Sequence, residues 1–213
     1  MKIRIVAISD THSRHQRISV PDGDILIHAG DATTSGRVNE IAEFNRWLGT
    51  LPHPVKLFCA GNHDLLFEQA PALARSLLTN ATYLQDALIE VMGLRIYASP
   101  WQPRFFDWAF NLDRGESLRR KWAMIPEQLD VLVTHSPPFG ILDQNPSGEH
   151  CGCEELRPVV ERLRPRIHLF GHIHQGYGQL TYEGIRFVNA CNCDEGYRPI
   201  NPPVVLELDT EPR

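Results

Sequence analysis

No run of apolar residues in this chain is long enough to span a bilayer. The opening MKIRIVAISD carries an apolar stretch of only about five residues before it meets Asp10, too short for a secretory signal or a membrane anchor. No run of lysine or arginine stands out, and the net charge is −5 with histidines neutral, so a nonspecific grip on nucleic acid or on an anionic membrane is not expected. Any phosphate the chain handles must be met by local groups. Cysteine is sparse and odd in number, five residues, which without a secretory signal argues against a disulfide framework and for a reduced, cytoplasmic setting. Internal repeats and low-complexity segments are absent too. What is left is 213 residues, 42% of them hydrophobic, which suits one domain over residues 1–213 with a single sizeable core.

Five short β-branched runs, IRIVAIS, DILIHAG, VKLFCAG, DVLVTHS and RIHLFGH, each read as a buried strand that ends in a small or polar residue. Between the second and third, Val38, Ile41, Phe44 and Leu48 recur at helical spacing, and further helices are expected over 70–78, 116–124 and 154–163. ALIEVMGLRIYASP reads as two strands about a tight turn at Met92 and Gly93, and GQLTYEGIRFVNA repeats that design with Glu183 and Gly184 at its turn. PPVVLELD adds a last strand. Early βαβ units followed by hairpins predict an α/β fold of two mixed sheets packed together, with helices on the outside. In such sheets ligands collect beyond the carboxyl ends of the strands.

The chemistry-bearing residues fall at those ends. The first run leads into SDTHSR, where Asp10 and His12 are two residues apart and can face one point. The second leads to Asp31, the third to Asn62, His63 and Asp64, the fourth to His135, and the fifth to His172 and His174. Carboxylate, amide and imidazole donors without thiolate suit manganese, iron(II) or zinc, and seven donors exceed one tetrahedral site. Two divalent ions, with a carboxylate such as Asp31 bridging them, are the economical reading. Taken singly, each residue has an ordinary alternative: Asp10 and Asp31 as caps or turn formers, Asn62 as a left-handed turn residue, His135 as a core histidine. Five strand ends together make coincidence a poor account. His28 and His168, inside apolar strands, read as core or supporting groups, and His15, His53 and His150 as solvated loop residues.

The order D-x-H, G-D, G-N-H-D, H and G-H-x-H resembles the signature of calcineurin-like metallophosphoesterases, carried here by Asp10, His12, Asp31, Asn62, His63, Asp64, His135, His172 and His174. Outside these motifs, SPWQPRFFDWAFN, THSPPFG, GHIHQGYG and NPPVV resemble metallophosphoesterase-domain proteins related to class III cyclic-nucleotide phosphodiesterases, so the resemblance spans nearly the whole chain. It implies a four-layer α/β/β/α sandwich and a dinuclear centre. Asp10, His12 and His174 would hold one ion, Asn62, His135 and His172 the other, and Asp31 would bridge them, with no departure at a ligand position. His63, next to a ligand but free of metal in the family pattern, is then the candidate acid, with Asp64 orienting its imidazole.

Such a centre would drive in-line attack by a metal-bridging hydroxide. The expected function is a manganese-dependent phosphoesterase, with iron or zinc as alternative metals, that favours small phosphodiesters, cyclic nucleotides among them. Phosphomonoesterase or nuclease action at the same centre, and non-catalytic binding on the same fold, are the rivals; the acidic balance disfavours long nucleic-acid strands, and no membrane partner is expected. Of Trp101, Phe105, Phe106, Trp108 and Phe110, three are expected in the core and the rest over the site, where a ring would stack on a nucleobase. Arg14 is a candidate phosphate contact or a surface ion pair. The CGC of Cys151–Cys153 and CNC of Cys191–Cys193 would form a four-thiolate zinc site if their loops met, but the spacing is tight for that, and reduced thiols near the pocket rim are the stronger expectation. QGYGQ lacks the lysine and following helix of a phosphate-cradling loop.

Overall fold

The structure is a computed structural model that describes residues 1–210. In chain order its first half runs β1 (Lys2–Ile8), β2 (Ile25–His28), α1 (Val38–Thr50), β3 (Val55–Phe58), α2 (Leu66–Gln69), α3 (Pro71–Leu77), β4 (Thr82–Tyr83), β5 (Ala87–Val91) and β6 (Leu94–Ser99). Then follow β7 (Gln102–Pro103), β8 (Asn111–Leu112), α4 (Glu116–Trp122), β9 (Val131–Thr134), α5 (Leu156–Leu163), β10 (Ile167–Phe170), β11 (Gly178–Tyr182), β12 (Ile185–Asn189) and β13 (Val204–Asp209). One mixed sheet has the order β13-β1-β2-β3-β4 and the other β11-β12-β10-β9-β6-β5, with β7 and β8 forming a small separate pair. The strands β1, β2 and β3 run parallel, as do β6, β9, β10 and β12, while the hairpin partners and β13 run antiparallel. All five motif-bearing strands are therefore parallel within their sheets.

The two faces of each strand go to different cores, which is why these runs are apolar without alternation. Ile5, Ile27 and Leu57 on one sheet pack between the sheets with Ile96, Val133 and Leu169 on the other. The opposite face of the first sheet, with Val6, Leu26 and Phe58, is covered by Ile41, Phe44 and Leu48 of α1. The opposite face of the second, with Leu132, Phe170 and Phe187, is covered by Trp122 of α4 and Val160 of α5. The result is helix, sheet, sheet, helix.

Both predicted hairpins close as expected, with left-handed φ at Met92 (50°) and Gly93 (78°), and at Glu183 (48°) and Gly184 (79°), the pairing that matches strand twist. The helices are shorter than predicted at their ends, and the short α2, β4, β7 and β8 go beyond the sequence pattern. Val38, expected on the apolar face of α1, is exposed, because at the first helical position it lies beyond the edge of the sheet contact. Glu40 in that helix accepts hydrogen bonds from Ser13 Oγ (3.1 Å) and from the backbone N–H of Thr34 (3.0 Å) and Arg37 (3.0 Å), which ties the loops after β1 and β2 to α1. Those loops carry the first donors.

A candidate metal centre

The backbone at the strand ends turns sharply, and the turns set the donor side chains. Asp10 (φ 53°), His12 (41°), Asp31 (56°) and His172 (68°) all adopt the left-handed region, which Asp and His tolerate better than most residues but at a cost of about 1–3 kcal/mol each. The glycines of the motifs have a complementary role. A Cβ on Gly171 would come within 2.0 Å of Asp10 Oδ2, and one on Gly61 within 2.3 Å of Asp31 Oδ1, so only glycine lets strands of neighbouring motifs lie against those carboxylates.

The structure brings all seven sequence-predicted donors into one buried cluster. Asp10, His12 and His174 have ligand atoms mutually within 4.8 Å, as do His12, Asp31 and His63, and Asp31, His135 and His172. His12 Nε2 and His174 Nε2 are 3.3 Å apart, His174 Nε2 is 3.4 Å from Asp10 Oδ1, and His135 Nε2 is 2.9 Å from Asn62 Oδ1 and 3.4 Å from Asp31 Oδ2. Asp31 Oδ2 lies 3.9 Å from both His12 Nε2 and His63 Nε2, so Asp31 is shared between the groups. Neighbouring groups hold the donors in orientation. His135 Nδ1 donates to the Ala29 carbonyl at 2.9 Å, and Ser9 Oγ (2.5 Å) and Cys191 Sγ (3.0 Å) donate to Asp10 Oδ2. Ser9 and Cys191 also form a parallel bridge that joins the two sheets at this point.

The electrostatics fit a cation. Two carboxylates are buried side by side with little compensation from lysine or arginine, an arrangement that is costly unless positive charge is brought in. Burial works to raise the Asp10 carboxyl, but the hydrogen bond from His174 and the nearby imidazoles hold it well below the usual carboxylate range. Asp31 is likewise held low, burial being outweighed by His135, His63 and His12. Burial also works against a charged His135, yet the Asp31 carboxylate pushes it up to about 9; His12 and His172, where burial wins, are pushed down to about 4 and about 3. Converging nitrogen and oxygen donors around two buried carboxylates fit one or two divalent ions.

Of the predicted acid pair, His63 sits in the site and Asp64 does not support it. Asp64 accepts from the backbone N–H of Gly61 (2.8 Å), from Thr33 N–H (3.0 Å) and from Thr33 Oγ1 (2.8 Å), and so closes the turn after β3. Burial and the Asp31 charge raise it to about 6. The expectation that Asp64 orients His63 is therefore corrected: the Thr34 carbonyl does so, accepting from Nδ1 at 2.8 Å. Adjacent residues in a tight turn point their side chains apart, which the motif order hides.

A cavity of about 530 Å³ opens over the donors, lined also by Arg104, Phe105, Arg114, His150, Cys151 and Tyr197. Trp108 packs its ring 4.0 Å from that of His63, Phe105 lies 5.5 Å from His172, and Tyr197 lies 4.4 Å from His12. Trp101 and Phe110 pack into the core, two rings where three were expected, and Phe106 is 72% exposed. A larger cavity of about 780 Å³ at the amino ends of β6, β9 and β10 is lined by no imidazole, and its Arg95, Arg162 and Arg166 are engaged with Gln128, Glu127 and Asp130. Size does not pick out the site; donors do.

Other expectations need correction. His15 and His53 are buried, not solvated: His15 is covered by Phe44 and Trp47, and His53 Nε2 donates to the Pro21 carbonyl at 3.0 Å. His15 has polar neighbours in sequence and His53 stands between two prolines, and only tertiary packing covers them. His28 and His168 are core histidines, paired with Thr11 (3.0 Å) and Thr134 (2.8 Å). Arg14 is exposed, and the arginines that line the cavity are Arg104 and Arg114. The four C-x-C cysteines form no metal group among the described residues. Cys151 reaches the rim, Cys153 packs against Trp122, and Cys191 supports Asp10. Ser9, Thr34, Cys191 and Tyr197 are not legible as site residues in the sequence, since nothing in their spacing ties them to a donor.

Residues 3–176 match the family model described as calcineurin-like phosphoesterase. The chain is 47% identical over 232 aligned positions to human "Metallophosphoesterase domain-containing protein 1", covering 97% of this chain and 71% of that protein. At 24% identity over 159 positions it is similar to a protein of Synechococcus sp. named as a probable cyclic nucleotide phosphodiesterase, covering 73% of this chain and 60% of that one. Its fold is similar to that of the Thermus thermophilus protein TT1561, with a TM-score of 0.60 at 12% identity over 89% of each chain. Among the described residues, no helix is long and apolar enough to cross a membrane.

Proposed function

The chain belongs to the calcineurin-like phosphoesterase family, and from that premise we propose that it is a phosphodiesterase acting on small esters, cyclic nucleotides among them. The observation that supports this most directly is the convergence of Asp10, His12, Asp31, Asn62, His135, His172 and His174 under one open cavity. In this reading Asp10, His12 and His174 would hold one ion and Asn62, His135 and His172 the other, with Asp31 available to both and manganese as the preferred metal. When bound, two such ions supply Lewis-acid neutralisation of phosphoryl charge and a nucleophile from water at neutral pH.

The chain's own residues do the rest. His63 donates Nδ1–H to the Thr34 carbonyl, so Nε2 is the ring nitrogen that faces the cavity. Once protonated, it hands that proton to the leaving oxygen. The ring of Trp108 against His63 keeps bulk water from one face of the imidazole. The relative named as a probable cyclic nucleotide phosphodiesterase, and the aromatic rim of Phe105 and Tyr197, favour a diester with a flat organic group.

The test is turnover of bis(p-nitrophenyl) phosphate against p-nitrophenyl phosphate by protein reconstituted with manganese. Faster diester hydrolysis that is lost in His135→Ala is expected. Preference for the monoester would make the chain a phosphatase instead, and no turnover of either ester despite bound metal would favour a binding role.

A further inference from the structure

The loop between β9 and α5 carries a pair of side chains that the metal chemistry leaves unused. Asp143 is fully buried, and its carboxylate serves three groups. Oδ2 accepts from the backbone N–H of Gly140 at 2.9 Å and of Gly152 at 3.0 Å, while Oδ1 lies 2.6 Å from His150 Nδ1. With two N–H groups already aimed at it, the carboxylate is an acceptor, so Nδ1 of His150 carries a proton and donates it. That leaves Nε2 as the free ring nitrogen. Its nearest protein partner is the side-chain amide of Gln144 at 3.4 Å, at the edge of hydrogen-bonding range.

The pair is held in place. Gln144 and His150 face each other in an antiparallel bridge, Asn145 N–H donates to the Glu149 carbonyl at 2.9 Å, and Cys151 N–H donates to the Asp143 carbonyl at 3.0 Å. Arg114 adds hydrogen bonds from Nη1 and Nη2 to the Gly152 carbonyl, at 3.2 and 3.1 Å. A histidine fixed by a buried carboxylate, on a closed hairpin, presents its other nitrogen at a defined position. His150 lines the same cavity as Asp31, Asn62, His63 and His172, yet belongs to none of the donor groups. It therefore addresses the part of a bound ester that lies away from the metal donors.

We propose that His150 Nε2 is a specificity-determining contact that accepts a hydrogen bond from a hydroxyl on the organic group of the phosphate ester. The site then favours esters of hydroxylated alcohols, such as sugar-containing ones, over bare aryl esters. This inference rests on the phosphoesterase reading above. A hydroxyl suits the geometry because in the neutral ring the proton sits on Nδ1 against Asp143 and the lone pair is at Nε2. Phe105 and Tyr197 across the rim offer apolar faces to the carbon skeleton.

Two variants separate recognition from loop support. Asn at position 150 keeps an amide where Nδ1 was, and so the Asp143 hydrogen bond, but has no atom at Nε2; Gln reaches the Nε2 position instead. Both are compared with wild type on thymidine 5′-p-nitrophenyl phosphate and bis(p-nitrophenyl) phosphate with manganese. His150→Asn is expected to lower kcat/KM for the thymidine ester roughly threefold to tenfold, mainly through KM, and to leave the aryl diester unchanged. His150→Gln is expected to recover much of that preference. An unshifted ratio in His150→Asn, or an equal loss on both esters in both variants, overturns the proposal while the phosphoesterase reading stands. Wild-type protein that hydrolyses neither diester overturns the proposal together with the phosphodiesterase reading.

Discussion

The two sheets furnish unlike halves of one site. Strand ends of the first supply both carboxylates, the Asn62 amide, His12 and His63, whereas those of the second supply imidazoles alone, His135, His172 and His174. The difference is one of charge. Carboxylates at this depth set the field, and the imidazoles respond to it: His135, which burial would lower, is raised to about 9 by Asp31, while His172, where burial prevails, falls to about 3. The first sheet is thus expected to decide whether cations bind, and the second how many are held.

The largest expected effect follows from removing the shared carboxylate. Asp31→Ala should lose bound metal, read by elemental analysis after dialysis, and lower turnover by roughly a thousandfold or more, since several kcal/mol of charge stabilisation go with it. His135→Ala, on the imidazole side, should keep about one ion per chain. Equal metal loss in the two variants would erase the asymmetry. His63→Ala comes next: metal content unchanged, kcat down by roughly 10²–10⁴-fold. Metal loss in that variant would move His63 among the ligands.

Support groups should give smaller effects. Ser9→Ala removes the hydroxyl that donates to Asp10 and should weaken metal affinity about 10–100-fold, measurable by competition with a chelating dye. The smallest effect concerns stability. Burial holds His28 and His168 neutral, down to about 3, and His15 down to about 4. Their unfolded counterparts protonate below about 6.5, so the stability these groups support is present above that pH and is lost as pH falls toward 3. Thermal melts from pH 7 to pH 4 should therefore shift downward steadily, and His168→Gln should flatten the slope. A pH-independent melting temperature would mean that these rings are not buried in solution.

Much of this is legible from local pattern. The strand runs, both hairpins and the helical phase of Ile41, Phe44 and Leu48 depend on period and turn chemistry within a few residues, and the structure has them. The burial of His15 and His53 is not legible, because the polar neighbours of the one and the flanking prolines of the other say nothing about Phe44, Trp47 or Pro21 folding over them. Nor is the role of Asp64: adjacency in a motif suggests contact with His63, but the turn sends the carboxylate to Gly61 and Thr33.

By itself, the sequence determined the kinds of donor and where on each strand they stand, because alternation along a strand and glycine at its end are local properties. Only the tertiary structure decided that Asp10 and His174, 164 positions apart, come within 3.4 Å, that Thr34 rather than Asp64 holds His63, and that Asp143 sets His150 against the cavity. Those contacts join different strands, sheets and loops, and they are set by how the two sheets pack through Ile5, Ile27, Val133 and Leu169, a matter of volume and shape that no spacing along the chain encodes.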